Sequence, residues 1–287
     1  MAPVMSVAVL TIVKDRGEHL RQVLAGLARS DRAPDEVVIV DMGLHPLDIP
    51  TTGLPITVLR LPDSGLPLAK ARNRAARHAQ ADNLIFLDVD CIPANDLIGR
   101  LGMALDGINA LICADVRYLP ANPANSSWSE AALHEAGHAH PARIFPDEGL
   151  RAEPNPGLFW SLAFGVRKMA FDTLGGFDER FTGYGGEDTD FGFRARAAGL
   201  PLLFLGGGAG AFHQHHGVYD PPLQHVADIV RNAGLFREIW GVWPMGDWLA
   251  RFNALGLIDS REDGIALLRL PTHEECEAAR KPGEARF

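Results

Sequence analysis

The chain has 287 residues, with 27 Lys and Arg against 36 Asp and Glu, for a formal net charge of −9. Hydrophobic residues make up 47%, enough to bury a sizeable core, which excludes disorder over most of the chain. The acidic balance excludes an electrostatic nucleic-acid binder, which needs a basic face to displace counterions. Cys91, Cys113 and Cys276 are too few and too scattered for a disulfide framework or a Cys-based zinc site, so a reducing compartment is expected. The N-terminal apolar run lacks a preceding basic region and a small-residue cleavage site, and reads as a first strand. The later apolar run at 200–212 is too short and Gly-rich to span a bilayer. The expected location is the cytoplasm, with any membrane contact peripheral.

Residues 4–13 form the first strand candidate. The helix expected at 17–29 shows Leu20, Val23, Leu24 and Leu27 at three- and four-residue spacing. Residues 36–40 make a short apolar strand ending at Asp41, and 56–61 another. Residues 68–79 read as a helix, and 83–87 as a strand running into Asp88, Val89 and Asp90. Near-continuous apolar strands alternating with helices imply parallel pairing covered on both faces. Ligands of such sheets bind beyond the carboxyl ends of the strands, where Asp41 and Asp88 stand.

Residues 119–156 are rich in Pro, Ala, Asn and Glu and read as an insertion, part helix and part loop, crossing near the site. Regular pattern returns at 157–166. The glycines at 185 and 186 break the chain before a helix that ends at Gly199, and two short strands follow. Beyond Pro222 the pattern is helical, with Trp240, Trp243 and Trp248 among Gly and Pro.

Three groups of side chains could carry chemistry. Asp88 and Asp90 flank one residue at a strand end, and their oxygens suit Mg²⁺ or Mn²⁺. Glu187 and Asp188 open a helix, whose dipole favours an ionised carboxylate. Capping explains these acids, but not the Tyr184, Gly185 and Gly186 before them. His213, His215 and His216 offer imidazoles that could complete a site begun by Asp90.

The run FWSLAFGVRKMAFDTLGGFDERFTGYGGEDTDFGFRARAAG resembles the second half of the catalytic domain of family 2 glycosyltransferases and their relatives. The chondroitin-polymerase, β-galactosyltransferase and polypeptide GalNAc-transferase groups are nearest. SVAVLTIVKDRGEHL, EVVIVDMG and LPLAKARNRAARHAQADNLIFLDVDCIP resemble the first half, in the family's order. The resemblance implies a GT-A fold: an α/β domain with a Rossmann-like mixed sheet flanked by helices, over 1–220. Residues 221–287 would then be a helical extension packed on it.

For individual residues, the resemblance puts Thr11 and Arg16 at the loop that meets the nucleotide, and Asp41 where a carboxylate accepts from the uracil N–H. It places Arg72 and Asn73 near the base and phosphates, Asp88 at the ribose and sugar, and Trp160 at the donor-sugar pocket. Asp90 becomes the metal ligand, with His213 as its partner and His215 as second choice. Asp188 becomes the catalytic base, Glu187 an acceptor contact, and Tyr184, Gly185 and Gly186 the acceptor platform. Two departures stand out. Met42 replaces a second acid after Asp41, which loosens base selectivity. Trp160, Ser161 and Leu162 stand where many relatives carry Gly-Asn or Gly-Gly, which reshapes the sugar pocket.

The implied activity is inverting, Mn²⁺- or Mg²⁺-dependent transfer of a hexose or N-acetylhexosamine. The donor would be a nucleotide-diphosphate sugar, UDP-linked by preference, and the acceptor a saccharide or other hydroxyl. The alternatives are a retaining transferase on the same fold, or a nucleotide-sugar-binding protein without turnover. His134, Glu135 and His138 also fit H-E-x-x-H, a zinc-protease signature needing both imidazoles one helical turn apart. Gly137 inside the motif and Pro141 after it speak against that helix.

Overall fold

The computed structural model describes residues 5–121, 128–261 and 264–281. Strand β1 (Val7–Val13) is buried along its whole length. It pairs in parallel with β2 (Glu36–Asp41) and β4 (Asn83–Leu87), and β2 pairs in parallel with β3 (Ile56–Arg60). Side chains alternate across a strand, so Ala8, Leu10 and Ile12 enter one core while Val7, Val9 and Val13 enter another. Helix α1 (Gly17–Leu27) covers the second core with Leu20, Val23, Leu24 and Leu27. Helix α2 (Leu68–His78) covers the first with its alanines. The elements expected from the sequence over residues 7–87 are all present.

Beyond β4 the chain forms β5 (Cys91–Pro93), α3 (Leu97–Gly107), β6 (Leu111–Ala114) and β7 (Val116–Tyr118). The described residues of the 119–156 stretch include regular elements. Among them are α4 (Glu130–Ala136), β8 (His138–Ala139) and β9 (Leu150–Ala152). Then come β10 (Ala163–Arg167), α5 (Lys168–Thr173), α6 (Glu187–Ala197), β11 (Leu202–Leu205) and β12 (Ala211–His213). The main sheet runs β3-β2-β1-β4-β10-β6-β11-β9, with β10 antiparallel to β4 and β6. The parallel half is therefore joined to a mixed half.

A smaller sheet, β5-β12-β7-β8, sits beyond the end of β4. Its register sets His213 opposite both Cys91 and Tyr118. On the first core's face, phenylalanines tie α6 to the strands: Phe86 stacks on Phe164 at 4.7 Å, and Phe177 on Phe191 at 4.5 Å.

The C-terminal region contains α7 (Val226–Trp240), α8 (Gly246–Ala254) and α9 (His273–Ala279). Beside these helices, β13 (Ile258–Ser260) and β14 (Ile265–Leu267) add an antiparallel pair that the expected helical extension did not include. The Arg261 N–H donates to the Gly264 carbonyl at 2.8 Å beside this pair. The core of this region, including Ile229, Ala233 and Phe252, packs against Tyr184. Asn232 of α7 donates to the carbonyls of Thr182 (3.0 Å), Tyr184 (3.3 Å) and Gly185 (2.7 Å). Asn232→Ala strands these carbonyls, and chemical denaturation should show a loss of about 1–3 kcal/mol. No helix among the described residues is long and apolar enough to cross a membrane.

Candidate active site

Asp88 and Asp90 lie in the turn between β4 and β5, at the carboxyl edge of the parallel half. The Asp88 N–H donates to the Leu162 carbonyl at 2.7 Å, so the 160–162 segment lies directly against this turn. The Ser161 N–H in turn serves the Asp188 carboxylate. One backbone segment therefore bridges the two acidic groups and sets them side by side in one site. Arg72 acts electrostatically on Asp88 and on Asp188, and Tyr184 feels Asp188, Glu187 and Asp88.

Burial and the neighbouring Asp90 charge push Asp88 up to about 6, against Arg72 and Arg16. Burial and the Glu187 charge push Asp188 up to about 6, against Arg72 and the N–H groups of Thr189 and Ser161. Glu187 itself is 5% exposed and bonds Arg72 at 3.0 Å. This revises its expected acceptor contact, because its carboxylate faces α2. The helix N-terminus thus carries Glu187, paired with Arg72, beside Asp188, which accepts from the Thr189 N–H at 2.7 Å. Gly186 enters the helix at φ +93°, and a Cβ there would press on the Phe181 ring at 3.3 Å, so glycine is required.

Asp90 is 4% exposed, and its Oδ1 is buried without a donor. One ligand atom from each of Asp90, His213 and His216 lies within 4.8 Å of the others. His213 arrives by the β12 register, and His216 follows after the chain turns, with its Nε2 3.5 Å from Asp90. The second-choice histidine therefore changes: His216, not His215, joins this group. Burial pushes His213 down to about 4 despite Asp90, which keeps its ring neutral, as a ligand must be. An unpaired buried carboxylate oxygen beside two imidazoles fits a divalent cation, and the nitrogen content suits Mn²⁺ better than Mg²⁺. The three-residue spacing of His213 and His216 was the signal available in the sequence.

Other expected contacts fall elsewhere. Thr11 is inside β1 at 1% exposure, so it does not reach a loop. The Asp41 carboxylate is also 1% exposed. It accepts from the Gly43 (2.9 Å) and Leu47 (3.1 Å) N–H groups and pairs with Arg60, so here it closes a loop. Asn73 donates to Phe177 O (2.8 Å) and Glu179 (3.0 Å) and accepts from Phe177 N (2.8 Å), which pins the loop before α6. Asp41 and Asn73, which looked free in sequence, are thus held by partners from other parts of the chain, whereas the buried Thr11 hydroxyl has no hydrogen-bond partner. Arg16 does reach the cleft, pairing with Asp90.

Trp160 is half-buried, with the His140 ring edge-on at 4.8 Å and Arg143 5.2 Å from its centre. Both come from the 119–156 stretch. Tyr118 stacks on His213 at 4.9 Å and continues this wall. Tyr184 stacks on His225 at 4.5 Å, with Trp248 6.2 Å away, so the C-terminal region builds the opposite rim. Tyr118, His140, Arg143 and His225 carried no signal in the sequence, since only chain packing brings them here.

The zinc-protease geometry is absent. Helix α4 stops at Ala136, Gly137 is extended, and His138 lies in β8, so His134 and His138 are not one helical turn apart.

Comparison with known proteins agrees with this architecture. Residues 156–216 match the model of the N-terminal domain of galactosyltransferase. Validoxylamine A glucosyltransferase of Streptomyces hygroscopicus subsp. limoneus is 32% identical over 225 residues, covering 70% of this chain and 49% of that protein. The subsp. jinggangensis protein of the same name is 31% identical, covering 70% and 53%. The chain thus spans about half the length of the curated relatives it matches. Among solved structures, S. aureus TarS 1–349 superposes with a TM-score of 0.56 at 16% identity, covering 80% of this chain and 64% of that one. GalNAc-T7 with UDP, GalNAc and Mn²⁺ gives 0.56 at 15%, covering 74% and 44%. These likenesses establish the GT-A fold. With residues 8–175, from β1 through the acidic turn to α5, matching Glycosyl transferase family 2, the chain belongs to that family.

Proposed function

We propose that this chain transfers a hexose or N-acetylhexosamine from a nucleotide-diphosphate sugar, UDP-linked by preference, to an acceptor hydroxyl with inversion at the anomeric carbon. The observation that carries the reading is the 161–162 segment bridging the acidic groups, with Asp88 and Asp90 at one end and Asp188, which has no ion pair among the described residues, at the other. The glucosyltransferase name of its relatives and the UDP-containing neighbour support the donor class.

Asp188 takes the proton of the acceptor hydroxyl as that oxygen attacks from the face opposite the diphosphate. A base raised to about 6 is ionised at neutral pH, yet basic enough to share a developing proton. Arg72 fixes Glu187 aside, so the helix dipole and one guanidinium keep Asp188 charged without occupying it. Asp88 faces the ribose or donor sugar, and Trp160 bounds the sugar pocket. Tyr184, stacked on His225 and near a tilted Trp248, offers the aromatic surface for the acceptor, of the kind sugars stack on. A Mn²⁺ or Mg²⁺ held by Asp90, His213 and His216 would offset the charge building on the leaving diphosphate.

Incubation with UDP-, GDP- and dTDP-sugars, with product anomers assigned by NMR, tests this reading; retention of configuration, or no turnover of any donor, overturns it. A base active only when deprotonated also sets a pH limb. The kcat/KM should fall about tenfold per pH unit below about 6 and level off above it. A flat profile from pH 5 to 7 contradicts the Asp188 assignment.

A further inference from the structure

Asp90 is the most crowded carboxylate of the cleft. Its side chain is 6% exposed, and Arg16 Nη1, His216 Nε2 (3.5 Å) and His19 Nε2 (3.8 Å) all converge on it. Arg16 pairs directly with Oδ2, the oxygen that His216 also faces. The guanidinium therefore stands beside the position a cation on Asp90, His213 and His216 would take. Two positive charges on one buried carboxylate repel strongly, because little water screens them.

Arg16 is placed to move. It occupies the N-cap position of α1 after Asp15, a non-glycine residue at φ +55°, and its side chain is 38% exposed. A long stem that is partly in solvent can rotate its charge away at little cost. The same charge already acts on Asp88, at the donor end of the cleft.

We propose that Arg16 is the counter-ion of Asp90 in the metal-free protein. A divalent cation must then displace it, releasing the guanidinium toward the donor's diphosphate. This rests on the metal reading above and adds a coupling to it. Metal alone competes with Arg16, whereas metal and diphosphate together satisfy every charge, so each should strengthen the other's binding reciprocally.

The test is calorimetric titration of the full chain with Mn²⁺ in the absence of nucleotide, comparing wild type, Arg16→Ala, Arg16→Lys and Asp90→Asn. Arg16→Ala should bind Mn²⁺ about tenfold more tightly, the worth of a charge-assisted hydrogen bond discounted for partial exposure. Arg16→Lys, which keeps the competing charge, should stay near wild type. With Mn²⁺ saturating, Arg16→Ala should bind UDP about tenfold more weakly. Mn²⁺ affinity that is unchanged or lower in Arg16→Ala overturns the displacement. If Asp90→Asn has meanwhile lost Mn²⁺, the metal site itself stands. Mn²⁺ binding by Asp90→Asn at wild-type affinity overturns both together.

Discussion

Asp188→Asn should lose sugar transfer by about 10²–10⁴-fold, the usual contribution of a positioned general base, while binding UDP and metal as wild type does. Asparagine keeps the shape of the side chain, and its oxygen can still accept from the Thr189 N–H, which lies 2.7 Å from the native carboxylate. Only the basic site is removed. Asp88, Asp90 and the histidines are untouched, so isothermal titration with UDP and Mn²⁺ should not change. A second readout separates this from simple misfolding. The folded protein holds the acid near 6 against an ordinary 3.8, so it binds that proton more tightly than the unfolded chain does. The destabilisation from the charged form is therefore fully present above pH 6 and absent below about 3.8. Asp188→Asn should melt at or above the wild-type temperature at pH 7. A variant with near-normal turnover removes the base assignment, and a markedly lower melting temperature contradicts the electrostatic account of the site.

Asp90→Asn should abolish metal-dependent nucleotide binding and reduce transfer by at least about 10²-fold, since charge stabilisation of a leaving group is worth several kcal/mol. The physical reason is local. Among the described residues Asp90 is the carboxylate grouped with His213 and His216, and its buried Oδ1 has no hydrogen-bond donor there. The amide keeps one oxygen but loses the charge that a hard cation requires. Arg16 loses its partner too, but being partly exposed it can find water. The expected result is therefore a functional loss with a preserved melting temperature. Calorimetry showing the same UDP affinity with and without Mn²⁺ in the wild type would remove the metal from the mechanism.

The fold was readable because its signals are periodic. The buried strands and the three- and four-residue spacing in α1 predict their own elements. The strand-ending Asp88 to Asp90 turn and the Gly-Gly-Glu-Asp entry to α6 are local patterns that mark chemistry before any tertiary contact exists. What periodicity does not carry is partnership across long separations. Glu187 read as an acceptor contact, yet Arg72, 115 residues earlier, claims it. Asn73 read as a nucleotide contact, yet the loop before α6, 104 residues later, uses both ends of its amide. Asp41 stood at a strand end where ligands bind, yet Arg60 from the neighbouring strand and two loop N–H groups satisfy it.

The amino-acid sequence alone determined the alternating architecture, the family and the acidic residues proposed to carry the chemistry. Those follow from side-chain identity and spacing within short segments. Tertiary structure alone decided which of these residues are free. The register of β12 brings His213, and after it His216 rather than His215, to Asp90. Arg72 pairs with Glu187 and not with Asp188, and Arg16 takes Asp90 as its partner. A buried charge is satisfied by whichever opposite charge the packing delivers, and that delivery depends on chain crossings that no local pattern encodes.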